Sequence, residues 1–145
     1  MGDFAITPDK WGKYGWTFLH FATLAYPIDP TSTDKLNMLT FIDSFGKILP
    51  CTKCRFNFKN NLLIVPLTEQ VLSSRSNLVS WASDMHNLVN KELGKKIYSK
   101  EEIKDMLENM VNGKTYSYAA ALIIIVLVVA LVLIYYNSDR SVKSI

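Results

Sequence analysis

Apolar residues recur along the first 113 positions at helical spacings, not in strand alternation. The first run, "WGKYGWTFLHFATLAYP", follows Thr7-Pro8, a helix entry with Thr as N-cap and Pro at the first helical position. It predicts a helix over about Asp9 to Ala25, apolar nearly all round through Trp11, Tyr14, Trp16, Phe18, Leu19, Phe21 and Leu24. Such a helix is buried or faces a large apolar ligand. Tyr26-Pro27 ends it, and "PIDPTST" is a loop that supplies the next cap. In a second helix, about Thr33 to Ile48, Leu36, Leu39, Ile42, Phe45 and Ile48 recur at spacings of three and read as a core stripe. Pro50 breaks it, and a third helix runs from the cysteines to about Leu62. "SSRSN" caps a fourth, about Leu78 to Leu93, with Gly94 just past its end. "SKEE", Ser99 to Glu102, is a capping box that opens a fifth, with Ile103, Met106, Leu107 and Met110 on one face. "LLIVPL" is the one strand candidate, and Pro66 weakens it. The pattern predicts an all-α domain, a four-helix bundle with a short fifth helix.

The pattern then changes. Residues Thr115 to Ser138 carry no charge, and Ala119 to Ile134 is apolar throughout, with Tyr116, Tyr118, Tyr135 and Tyr136 at its rims. About 18–20 helical residues cross a hydrocarbon core of about 27–30 Å. Edge tyrosines match an interfacial aromatic belt. The expectation is a domain over residues 1–113, a juxtamembrane segment over 114–118, a transmembrane helix over 119–136 and a polar tail over 137–145. The N-terminus has no apolar signal segment, and Ile6 stands where myristoylation of Gly2 would want Ser or Thr. The expected arrangement is therefore a single-pass, tail-anchored protein with its domain in the cytosol. Flanking charge does not orient it: Lys100, Lys104 and Lys114 precede the span, and Arg140 and Lys143 follow.

Net charge is +3, with lysines interleaved among acids and no basic patch with aromatics, which argues against nucleic acid. Chemistry concentrates in "LPCTKC", which holds the chain's two cysteines, Cys51 and Cys54. A structural zinc needs about four ligands. The other candidates, His20 and His86, are far apart in the chain and form no tight second pair. A purely structural disulfide would close too small a loop to constrain the unfolded chain much. A redox pair fits better. Pro50 puts Cys51 at a helix N-terminus, where free N–H groups and the dipole favour a thiolate, and Lys53 and Arg55 add positive charge. No βαβ pattern of the thioredoxin kind surrounds the motif, so a dithiol alone leaves its electrons without a destination. A flavin-free, membrane-anchored thiol–disulfide exchange module and an adaptor with a zinc clip stay open at this point.

Two polar faces suggest an electron sink. Lys13, Trp16 and His20 share one face of the first helix, and His86 and Asn90 share one face of the fourth, with Asn87 beside them. The segments "WGKYGWTFLHFATLAYP", "FIDSFGKILPCTKC" and "WASDMHNLVNKELGKKIY" occur in that order at short separations. The combination of Trp-x3-His, Pro-Cys-x-x-Cys and His-Asn-x-Val-Asn-x-x-Leu-Gly-Lys resembles the Erv/ALR family of FAD-dependent sulfhydryl oxidases over about residues 11–98.

The resemblance implies a helical bundle holding FAD at its mouth, and a homodimer. It implies that Cys54 lies against the flavin and Cys51 exchanges with the incoming dithiol. Trp16 and His20 would pack on the flavin, and His86, Asn87 and Asn90 would surround the adenosine. Lys13 and Lys95 would suit the pyrophosphate, Tyr26 and Tyr98 would edge the pocket, and Trp81 would be wall. No metal is implied. Molecular oxygen would take the electrons and leave as hydrogen peroxide. Ser83 and Ser99 stand where many relatives have a stapling disulfide, and no distal shuttle cysteines are present in the sequence. Electrons would then come directly from a small dithiol protein. The short two-cysteine form with an anchor is similar to the sulfhydryl oxidases of large cytoplasmic DNA viruses, which would place it in a virion or host endomembrane.

Overall fold

A computed structural model describes residues 6–112 and 118–142, with side chains over 6–112 and 121–136. The elements in chain order are α1 (Pro8–Leu24), α2 (Ser32–Ile48), α3 (Thr52–Ile64), a 3-10 turn (Val71–Ser73), α4 (Arg75–Glu92), α5 (Lys100–Asn112) and α6 (Tyr118–Val142). No strand occurs among the described residues. The "LLIVPL" candidate is the last turn of α3 followed by irregular chain. The chain divides into two compact units, residues 1–104 and 105–145.

In the first unit α1 packs on α4, α2 on α3 and α3 on α4. They enclose a core of Leu19, Tyr26, Met38, Ile42, Leu49, Phe58, Leu72, Leu78, Trp81, Ala82 and Met85. Local chemistry sets the helix ends. Thr7 is extended ahead of α1 but makes no side-chain cap, so Pro8 at the first position carries the entry. Thr31, from the loop expected to supply the cap, caps α2: its hydroxyl accepts from the Asp34 amide, and the Asp34 carboxylate accepts from the Thr31 amide. Ser74 caps α4 by accepting from the Asn77 amide. Gly94 has φ of 64°, with Gly94 N–H donating to Lys91 O and Lys95 N–H donating to Asn90 O. These two bonds form a Schellman end. Ser99 and Glu102 form the capping box of α5.

The predicted core stripe of α2 is corrected. Steps of three residues turn a helix by about 300°, so five such positions drift around much of its circumference. Leu36 and Ile48 are therefore exposed, and the buried line is Met38, Ile42 and Gly46, at steps of four. Gly46 permits the close approach of α3: a Cβ there would sit 2.5 Å from a Phe58 ring carbon. The all-round apolarity of α1 is also divided. Leu19, His20 and Thr23 are buried, while Tyr14, Phe18 and Phe21 face outward.

In the second unit, α6 carries an apolar stretch whose side chains from Leu122 to Tyr136 are largely exposed. The expected transmembrane helix over 119–136 is not supported: among the described residues no helix is long and apolar enough to cross a membrane. The membrane partner expected through this helix is unsupported on the same ground. Expectations for residues 114–117 and 143–145 lie outside the described residues.

Candidate functional site

The path into the cysteines is set by Pro50. Leu49 leaves helical geometry at φ −50° and ψ 133°, and Pro50 offers no N–H to continue α2. Cys51 is extended and acts as the N-cap of α3, its sulfur accepting from the Cys54 amide at 3.2 Å. This is the bond a capping Ser or Asp would make, so the sulfur of Cys51 stands at the positive end of α3. Cys51 and Cys54 form a disulfide with Cα atoms 5.1 Å apart. Cys54 packs on the core.

Arg55 was singled out in the sequence only for its charge, yet it also fastens the loop. Its guanidinium donates to Leu49 O and to Thr52 Oγ1, and its amide donates to Cys51 O at 3.0 Å. The Leu49 carbonyl, at the C-cap of α2 where no later helical N–H reaches it, thus gains a donor.

A second cluster joins α1 to α4. His20 Nε2 lies 3.0 Å from His86 Nδ1, and Trp16 stacks on His86 with ring centroids 4.1 Å apart and planes 7° apart. Burial lowers His20 to a pKa of about 4. Burial also lowers His86 to about 4, with help from His20 and from the charge of Lys95. Both rings are neutral at pH 7, so one nitrogen of the close pair donates and the other accepts. His20 Nδ1 and Asn90 Nδ2 are buried and have no hydrogen-bond partner. Unpartnered buried polar atoms are costly and call for an explanation.

Asn87 is engaged at both ends of its amide: Nδ2 donates to Tyr98 O, and Oδ1 accepts from Tyr98 N–H. Its place is to pin the segment after α4, which carries Lys95 and Tyr98. The Schellman bond from Lys95 N–H to Asn90 O brings Lys95 back over the last turn of α4. Lys13 is exposed, one turn before Trp16 on α1. Tyr26 is placed in the core, its hydroxyl donating to Leu72 O. Trp81 is buried, its indole donating to Val65 O. Ser83 donates back to Val79 O on its own helix, and Ser99 caps α5.

Sequence reasoning missed the side-chain tie made by Arg55 and the anchoring of Tyr26 O by Arg75. It also missed Asn61, buried on α3 with Nδ2 unpartnered. The available signal for Asn61 was a polar residue in the same helical register as Cys54 and Phe58. Among the described residues no group of three or more His, Cys, Asp or Glu gathers as a metal site.

The α1/α4 cluster suits FAD. It offers the buried amide donor of Asn90 and the free ring nitrogen of His20 to a polar ligand, a Trp–imidazole surface to a flat ring, and the cations Lys13 and Lys95 to phosphates.

Comparison with known proteins agrees. The model of the Erv1/Alr family matches residues 13–112. The chain is 48% identical over 109 residues to a probable FAD-linked sulfhydryl oxidase of Acanthamoeba polyphaga mimivirus, covering 75% of this chain and 76% of that protein. It is 34% identical to an FAD-linked sulfhydryl oxidase of African swine fever virus, covering 70% of this chain and 82% of that one. Against the mitochondrial FAD-linked sulfhydryl oxidase of Schizosaccharomyces pombe, identity is 33%, and the chain spans about half the length of that relative (48%). The crystal structure of the FAD-binding domain of Erv1 from Saccharomyces cerevisiae superposes with a TM-score of 0.66 at 28% identity, over 72% of this chain and 97% of that one. With the family model over residues 13–112 and relatives of this identity and coverage, the chain belongs to the Erv1/Alr family.

Proposed function

We propose that this chain is an FAD-dependent thiol oxidase that makes disulfide bonds in partner proteins. The observation that carries the reading is a disulfide at a helix N-cap within the same compact unit as the buried, unpartnered polar atoms His20 Nδ1 and Asn90 Nδ2. His20, Asn90, Lys13 and Lys95 would hold FAD, with Trp16 and His86 as its flat contact surface. Bound FAD supplies the two-electron chemistry that carries the dithiol's electrons on to molecular oxygen, giving hydrogen peroxide.

The chain's own residues do the thiol chemistry. A substrate thiolate attacks Cys51 Sγ; the Cys51–Cys54 bond breaks, and Cys54 leaves as a thiolate. The second substrate thiolate attacks the substrate sulfur of the mixed disulfide and releases Cys51. The substrate gains one disulfide, the pair gains two electrons, and two substrate protons are given up. The Cys54 amide, which already points at Cys51 Sγ, stabilises the Cys51 thiolate as it leaves. Arg55 holds Leu49 and Thr52 in place while the bond is exchanged.

The outward aromatics of the first two helices support a homodimer. Tyr14, Phe18 and Phe21 are exposed on α1, and Phe18 meets Phe41 of α2 edge-on at 5.9 Å. An apolar face of this kind is what a second copy would cover.

Cys54→Ser tests the mechanism. Dithiol-dependent oxygen uptake should fall to background while flavin stays bound. Continued uptake would contradict the role of Cys54.

A further inference from the structure

The solvent side of α3 is unusual for a helix that begins at a redox-active disulfide. Cys54, Phe58, Asn61 and Leu62 turn inward. On the opposite side Phe56 is 64% exposed and Leu63 79% exposed, two turns apart on one stripe. Thr52, next to Cys51, begins the same stripe. Ile48, three residues before Cys51 at the end of α2, is 74% exposed. Lys53 and Lys59 are exposed between these apolar side chains. From Cys51 to Thr68 the sequence contains no acidic residue, so α3 itself carries Lys53, Arg55 and Lys59 without a carboxylate of its own.

Large apolar side chains left in water at one place mark a contact surface. Here the catalytic step itself says what covers it. A protein thiol must come within bonding distance of Cys51 Sγ, so the body that carries it must lie over residues beside Cys51. A cationic surface without acids steers acidic partners and repels basic ones.

We propose that Ile48, Phe56 and Leu63, with Lys53 and Lys59, form the docking surface for a reduced dithiol protein. That partner carries apolar residues beside its cysteines and acidic residues around them. This rests on the thiol-oxidase reading and adds the partner's chemistry to it. The stripe lies on α3, apart from the aromatic face of α1 and α2 assigned to a second copy.

The test uses two synthetic reduced peptides, each with one Cys-x-x-Cys. One has Leu and Glu flanking the cysteines; the other has Ser and Lys. Dithiothreitol serves as a small substrate that needs no docking. Wild-type protein should show a KM about tenfold or more lower for the Leu/Glu peptide, with kcat similar for both. Phe56→Ser with Leu63→Ser should remove the difference and leave dithiothreitol turnover unchanged. Lys53→Glu with Lys59→Glu should shift the preference toward the Ser/Lys peptide. Equal KM values for the two peptides in the wild type would overturn the docking surface. So would an unchanged preference in both variants, or a change of oligomeric state in the α3 variant with no change in peptide preference. Failure to oxidise dithiothreitol at all would sink the oxidase reading instead.

Discussion

The Cys51–Cys54 cluster and the His20–His86 cluster belong to one compact unit but are finished differently. Around the cysteines the polar ties run within the stretch from Leu49 to Arg55. The Cys54 amide bonds Cys51 sulfur, and Arg55 takes Leu49 O and Thr52 Oγ1. Around the histidines, groups 66 positions apart in the chain meet at 3.0 Å, and two buried polar atoms, His20 Nδ1 and Asn90 Nδ2, stay unpartnered. A closed network holds sulfur in a fixed place for exchange. An open one costs stability until a polar ligand completes it.

The contrast can be tested on flavin-free protein, and the largest effect concerns pH. His20 and His86 have folded-state pKa values of about 4, below the ordinary 6.5. Between pH 6.5 and about 4 the unfolded chain binds protons that the folded chain does not, so stability falls as pH falls through that window. Below about pH 4 these two groups cause no further loss. For His20 the shift corresponds to about 3 kcal/mol. Urea melts at pH 7 and pH 4.5 should show the drop, and His20→Phe with His86→Phe should flatten it. A double variant that keeps the full pH dependence would place its cause elsewhere.

The next effect comes from the closed cluster. Arg55→Leu leaves the buried Leu49 carbonyl without its donor, and should destabilise by about 1–3 kcal/mol. Melts in urea read this directly. The smallest stability effect belongs to the open cluster. Asn90→Leu removes a donor that bonds nothing, so flavin-free stability should change by less than about 1 kcal/mol. Flavin affinity, measured by quenching of added FAD, should fall by about tenfold or more. If Asn90→Leu destabilises the flavin-free protein as much as Arg55→Leu does, the distinction between the clusters collapses.

What the sequence revealed follows the same division. Local features were readable: Pro50 before a cap at Cys51, the Ser99–Glu102 box and the Gly94 helix end all depend on neighbours within a few residues. Helical apolar spacing gave an all-α unit, but spacings of three misassigned Leu36 and Ile48 because such steps drift around the helix. The distance in sequence between His20 and His86 argued only against a zinc ligand pair, and no local pattern showed that their rings meet; packing of α1 on α4 brings them together. Asn87 looked like a ligand beside His86, yet its amide holds the Tyr98 backbone. Hydropathy over 119–136 suggested a membrane span that the described helix does not support. Long-range pairing and the identity of side-chain partners are fixed by packing, and composition does not encode them one residue at a time.

The most direct test is the visible spectrum of the purified protein, recorded without oxygen before and after a dithiol is added. A flavin band that bleaches with dithiol in the wild type and persists in Cys54→Ser is the predicted result. A folded, colourless protein, or equal bleaching in both proteins, would contradict it.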